Sequence, residues 1–360
     1  MKLKLTVFIL IQLLFNTSLP VLACTSLAII NKKGDVFHGR TLELAENLPS
    51  WLTYYPAGTS FQKKAPDGQD SVYYTARYSI LAITSDIFFD GDDHNMIEGI
   101  NAAGLSFSAN MVPSVTLTVL SKNQYKESVP VTAIGEWALA NFSNVEQVRQ
   151  AVNNGYFWAP VLEKMGGITS PFHFAFYDKK GGSIVVEAGD GKYRVYDNPT
   201  RVMTNGPDFT WHLQNINNYT QLTNKDRSTA ILGNMKVTQP DSGIATSALP
   251  SSDTSVGRFI RAIYYTTYAP RRDNTTASVN ELAHIMNNFD RVKNITTDTT
   301  GESGITEKSL SEYTVWTTLT DLSGGVLFVR TYDNTNYKRY SLTEYAEKNT
   351  PIFIKLGTSE

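Results

Sequence analysis

The sequence predicts an α+β fold in which antiparallel sheets are covered by helices. Three observations lead there. Apolar and aromatic runs of strand length recur in pairs around Gly- and Asp-containing turns along most of the chain. Helical periodicity is confined to a few segments between those pairs. No internal repeat and no long linker divides the sequence, so residues 24–360 read as one domain.

The elements follow in order. Residues 1–23 read as an export signal. Lys2 and Lys4 make a positive start, Leu5–Phe15 an apolar stretch, and Val21-Leu22-Ala23 a cleavage site with short side chains where a signal peptidase needs them. Gln12, Asn16 and Pro20 interrupt the apolar run, which argues against a permanent span. An exported, periplasmic or secreted protein is therefore expected. "CTSLAIINKKGDVFHGRTLEL" (24–44) reads as two strands around a Lys-Lys-Gly-Asp turn. Further strands are expected at "YSILAITS" (78–85), "GLSFSANMV" (104–112), "FHFAFYD" (172–178), "SIVVEAGDGKYRVYD" (183–197), "RVMTN", "YTVWTTLTDLSGGVLFVRTYD" and "KRYSL". Helices are expected at 131–142 and 144–154. A third is expected to begin at Ser278, with Glu281 closing a capping box, and Ser341 and Glu344 repeat that device.

Composition excludes some functions. The net charge is −2, so nothing favours nucleic acid or an anionic membrane. Cys24 is the single cysteine, and no internal disulfide can form. Three readings of that thiol compete: a lipid attachment point, a buried small hydrophobe, or a nucleophile that becomes the first residue after cleavage. "VLAC" is a usable lipobox, which would leave the protein lipid-anchored, although Val21 and Leu22 are not the residues lipoboxes favour.

The first hairpin bears on the choice. Pairing around the 32–35 turn sets residue 30 opposite 36 and 26 opposite 40, so Cys24 falls beside Leu42, near Arg40 and Glu43. A freed α-amine titrates near ~7.7–8.0 and a thiol near ~8.5, close enough for one to deprotonate the other. Arg40 would lower the thiol pKa, and a carboxylate such as Glu43 could orient the amine. Arg40 and Glu43 taken alone are equally an ordinary strand pair.

Taken together, the residues resemble the choloylglycine hydrolase family of N-terminal nucleophile (Ntn) hydrolases, which includes bile salt hydrolases and penicillin V acylases. Five motifs carry the resemblance, in order: the opening Cys-Thr hairpin, "EGINAAGLSFSANMV", "VVEAGDGKYRVYDNPTRVMTNGPDFTWHLQNINNY", "LPSSDTSVGRFIRAIYY" and "YTVWTTLTDLSGGVLFVRTYDN". The resemblance implies a four-layer αββα sandwich of two antiparallel sheets flanked by helices. It implies Cys24 as nucleophile, with Arg40 beside the sulfur, Glu43 orienting the amine and Arg258 as a further charge. It implies Asn205 as a side-chain oxyanion donor, and Met111 as the second donor through its backbone N–H, with Asn110 if the register shifts by one. Asn110, Met111 and Leu44 would border the substrate. A small-molecule amide is the implied partner, with penicillin V, acyl-homoserine lactones and conjugated bile salts as types. A homotetramer is a further implication, and no cofactor is implied.

Three positions depart from the family pattern. Glu43 stands for the usual Asp, and Leu44 and Met111 replace tryptophans of the Gram-negative penicillin V acylases. Singly, "TNGP" is a turn in any fold, "NAAGL" is a common hairpin turn, and Arg258 at a helix start is an ordinary surface charge. "FFDGDDHNM" (88–96) clusters Asp90, Asp92, Asp93 and His94. It lacks the Gly and Glu that an EF-hand loop requires at its sixth and twelfth positions, so no metal is expected. His38 is expected at an exposed strand position, and the other histidines form no metal or triad pattern. A lipidated binding protein without catalysis and an acid-ceramidase-like amidase remain as alternatives. The latter often matures by internal cleavage, for which no internal cysteine exists.

Overall fold

A computed structural model describes residues 23–45, 49–85, 95–113, 115–165, 167–297 and 311–357. Residues 1–22, and Asp90, Asp92, Asp93 and His94 of the 88–96 cluster, lie outside them.

The strands of the two large sheets are β1 (Cys24–Ile30), β2 (Val36–Leu44), β3 (Trp51–Tyr55), β4 (Ile80–Ser85), β5 (Asn95–Asn101), β6 (Leu105–Met111), β7 (Phe172–Asp178), β8 (Ser183–Gly189), β9 (Lys192–Asp197), β10 (Val202–Met203), β11 (Tyr313–Asp321), β12 (Val326–Thr331), β13 (Asn334–Ser341) and β14 (Ile352–Lys355). The first sheet runs β10-β1-β2-β11-β12-β13 and the second β9-β8-β7-β6-β5-β4-β3-β14. Every pairing within them is antiparallel.

Helices cover the outer faces. The helices α1 (Ile134–Asn141) and α2 (Val145–Asn154) lie on the second sheet, and α4 (Ser255–Tyr268) and α5 (Thr275–Met286) on the first; the short α3 (Phe209–Asn215) follows β10. Glycines mark two of these contacts. A Cβ on Gly39 of β2 would meet Met286 Sδ of α5 at 2.7 Å, and one on Gly135 of α1 would meet the Phe107 ring of β6 at 2.0 Å. Side chains alternate across a strand, so residues 38, 40 and 42 of β2 face away from α5, toward the second sheet. Helix, sheet, sheet, helix is the four-layer αββα arrangement.

The first hairpin pairs Ile30 with Val36, Ser26 with Arg40 and Cys24 with Leu42, the register its turn dictates. Gly34 takes φ +92 in that turn, a conformation open to glycine at little cost. The expected start of α5 is wrong. The helix begins at Thr275, capped by Asn274, whose side chain accepts from Ala277 N–H; Ser278 lies inside it and donates to Asn274 O. An asparagine in an extended conformation caps as well as serine, and it comes a turn earlier. The Ser341–Glu344 box does form, over a 3-10 turn at Leu342–Tyr345.

His38 also departs from expectation. It is fully buried between the sheets, where Nδ1 lies 2.8 Å from Ser106 Oγ and Nε2 lies 3.0 Å from Ser26 Oγ and 3.1 Å from Ser108 Oγ. Burial and the neighbouring Arg40 charge push its pKa down to about 3, so the ring is neutral.

Candidate active site

Strand pairing puts Cys24 at the start of β1, on the inter-sheet side, and Arg40 of β2 reaches it there. Arg40 Nη2 lies 3.6 Å from Cys24 Sγ. The same guanidinium donates to Ile97 O at 3.2 Å and Ala109 O at 2.6 Å, and stacks 5.0 Å from the Trp316 ring centroid. A buried guanidinium requires a counter-charge. Glu98 of β5 supplies it, with Oε2 3.6 Å from Arg40 Nε. Ser108 and Thr318 each donate to the Glu98 carboxylate at 2.7 Å. The sequence reading missed Glu98. Its signal is a lone carboxylate inside the apolar strand "NMIEGIN", where one face is buried against the opposing sheet.

Asn205 and Arg258 arrive from distant segments. Asn205 Oδ1 accepts from Cys24 N–H at 2.7 Å and from Arg258 Nη2 at 2.8 Å. Arg258, on the first turn of α4, is 1% exposed and so is no surface charge. Its Nη1 donates to Cys24 O and to Thr25 Oγ1, and Nε donates to Asp253 O. Asn205 Nδ2 donates to Met111 O at 2.8 Å. Val112 N–H is spent on Pro171 O of the segment leading into β7. Ladder bonds alternate along an antiparallel pair, so Met111 N–H points to the other edge of β6, the edge that meets Arg40 and Asn205.

Three residues stand differently from expectation. Glu43 faces away from the sulfur, and its Oε1 accepts from Thr314 Oγ1 at 3.1 Å, with no bond to Cys24 N. Asn110 Nδ2 donates to Thr204 O at 2.7 Å, turned from the cavity, and Leu44 does not line it. The placement of Asn110 follows from strand alternation: Met111 points one way and Asn110 the other. The cavity over Cys24 is walled by Arg40, Leu42, Ile97, Ala109, Met111 and Phe172, among others, and measures about 20 Å³. That is room for about one water, so a substrate requires more space than this cavity presents.

Electrostatics differ from the local expectation as well. Burial pushes the Cys24 thiol up from its ordinary value and outweighs the downward pull of Arg40 and Arg258, while Glu43 adds to the rise. Burial likewise raises the Glu43 carboxyl from 4.5 to about 7, against the opposing charge of Arg258. A carboxyl raised on folding contributes stability that is fully present below pH 4.5 and lost as pH climbs to about 7. Glu43→Gln removes that loss. Urea unfolding should therefore show the variant gaining on the wild type by about 3 kcal/mol between pH 4.5 and 7. A difference between the two that does not change with pH would contradict the burial of Glu43.

The arrangement of thiol, guanidinium and amide suits acyl transfer. Among the described residues, no three His, Cys, Asp or Glu side chains cluster as metal ligands. No helix among them is long and apolar enough to cross a membrane.

The four-layer sandwich is that of the Ntn hydrolases, an α+β fold shared with solved amide hydrolases. A variant of conjugated bile acid hydrolase from Clostridium perfringens superposes with a TM-score of 0.77 at 25% identity, over 92% of this chain and 97% of that one. Penicillin V acylase from Agrobacterium tumefaciens has a TM-score of 0.72 at 21% identity, over 92% and 91%, a likeness of fold. Residues 24–350 match the model of the linear amide C–N hydrolases of the choloylglycine hydrolase family, and the chain belongs to that family. It is a hydrolase of linear amide C–N bonds. Among its relatives, a bile salt hydrolase/transferase of Clostridium perfringens is 28% identical over 86% of this chain and 90% of that protein. A second, from Lactiplantibacillus plantarum, is 27% identical over 74% and 78%.

Proposed function

We propose that the protein is an exported amidase whose nucleophile is the thiol of Cys24, active once residues 1–23 are removed. The observation that carries this reading is the convergence on one residue: Cys24 Sγ lies against Arg40, and Cys24 N against Asn205, at the first residue of the family match. Cleavage turns the Cys24 amide into an amine. That amine takes the thiol proton, and the thiolate attacks the substrate carbonyl carbon. Asn205 Nδ2 and Met111 N–H, which the bond from Asn205 to Met111 O brings together, hold the oxyanion. The C–N bond breaks as the protonated amine gives its proton to the leaving nitrogen. Water then releases the acid from the thioester and restores the thiol.

Arg40 holds charge at the sulfur, and Glu98 neutralises it. Arg258 fixes both the Cys24 carbonyl and the Asn205 side chain. With Asn205 as the partner of Cys24 N, Glu43 acts through its charge beneath the strand.

Conjugated bile salts stand first among the substrates, since the named relatives are bile salt hydrolases. Acyl-homoserine lactones and penicillin V follow. The test is a panel of these three classes incubated with the chain that begins at Cys24, with release of free amine as the readout. Turnover of at least one class is expected; none cleaved would refute the reading.

A further inference from the structure

The turn that carries Asn205 has no ladder to hold it. Strand β10 ends at Met203, so the peptide groups on either side of Asn205 lie beyond the sheet. Buried backbone polar groups require partners, and here side chains supply them. Thr204 O accepts from Asn110 Nδ2 at 2.7 Å and lies 3.1 Å from His173 Nε2. Asn205 N–H donates to Ser255 Oγ at 3.0 Å, and Asn205 O lies 3.0 Å from His212 Nε2. Four side chains, from β6, β7, α4 and α3, thus set the backbone at this residue.

One of the four is itself held by a charge. His173 Nδ1 lies 2.7 Å from Glu187 Oε2, with both residues buried. A carbonyl oxygen only accepts, so His173 Nε2 carries a proton toward Thr204. A second proton then lies between Nδ1 and the carboxylate. The other Glu187 oxygen accepts from Phe209 N–H at 2.9 Å, at the first residue of α3. Glu187 therefore ties together the two ends of the 204–209 turn: one end through His173, the other directly.

We propose that His173 and Glu187 are a positioning pair for the amide hydrolysis, setting the Asn205 side chain toward Cys24 through the Thr204 carbonyl. The proposal rests on the oxyanion role proposed for Asn205. Neither residue touches the cavity over Cys24.

The test uses the chain beginning at Cys24 and the variants His173→Leu, His173→Gln and Glu187→Gln. Iodoacetamide alkylation of Cys24 is measured beside hydrolysis, because it reads the thiol and needs no oxyanion donor. His173→Leu is expected to lower kcat about 10–100-fold, less than outright loss of a donor, with KM and the alkylation rate within about twofold. His173→Gln, which can still donate to Thr204 O, should recover most of kcat, and Glu187→Gln should fall between. Wild-type kcat in His173→Leu would overturn the proposal. So would an equal loss of hydrolysis and alkylation, or no recovery in His173→Gln. Should His173→Leu fail to fold, Glu187→Gln decides by the same readouts. Crystal structures of wild type and of His173→Leu, or of Glu187→Gln if the former does not fold, add a readout independent of turnover: the 2.7 Å contact between Asn205 Oδ1 and Cys24 N is expected to be displaced in the variant. If the wild type cleaves no amide, the acylase reading fails, and an undisturbed contact would separately overturn the positioning role.

Discussion

Replacing Cys24 by Ser is expected to lower amide hydrolysis by roughly a thousandfold or more while the protein folds as before. The substitution keeps volume and shape at a residue that is 2% exposed, so packing changes little. What it removes is a nucleophile that a nearby amine can deprotonate. A thiol titrates near ~8.5, within reach of an α-amine, whereas an alcohol does not. Comparing steady-state release of the amine product with the thermal midpoint separates the two effects. A serine variant that keeps a tenth of the activity would place the nucleophile elsewhere.

Asn205→Ala should cost about 10²–10³ in kcat, the usual effect of losing one oxyanion donor. It also leaves Arg258 Nη2 and Cys24 N–H without the oxygen that both now share. A buried donor left unpaired costs about 1–3 kcal/mol, so the alanine variant should unfold earlier as well. Asn205→Asp separates the roles. Its carboxylate still accepts from both donors and pairs with Arg258, but it offers no N–H to an oxyanion. It loses the bond to Met111 O and sets a carboxylate oxygen against that carbonyl, so it is expected to be less stable than wild type, and to lose as much activity as Asn205→Ala. An aspartate variant that is active would show that the Asn205 side chain serves the structure alone.

The parts of the molecule that were legible in the sequence are those set by local pairing. Lys32–Asp35 makes the turn, and the turn dictates that Cys24 lies beside Leu42 and near Arg40. Long hairpins such as 183–197 announce themselves through alternation and a Gly-Asp-Gly turn, at which Asp190 and Gly191 both take positive φ. Local signals could not say what covers a face. Alternation places His38 on the same face as Arg40, yet only the second sheet makes that face an interior, lined by Glu98, Ser106 and Ser108. The same ignorance of packing made the Cys24 thiol look acidified by Arg40, when burial raises it. Asn205 meets Cys24 across 181 residues, and no periodicity encodes that contact. It came into view through the family resemblance. The short helix α3 that follows Asn205 is too brief to leave a pattern.

In the proposed mechanism Cys24 attacks amides only when its own nitrogen is free. Two chains test it, one beginning at Cys24 and one keeping Ala23 before it, each mixed with a cleavable amide, quenched with acid and weighed intact. An adduct of the acyl mass, with turnover, is expected on the chain beginning at Cys24, and neither adduct nor turnover on the chain that keeps Ala23. Equal turnover by both chains, or turnover with no cysteine-bound acyl group under conditions that trap a thioester, would contradict it.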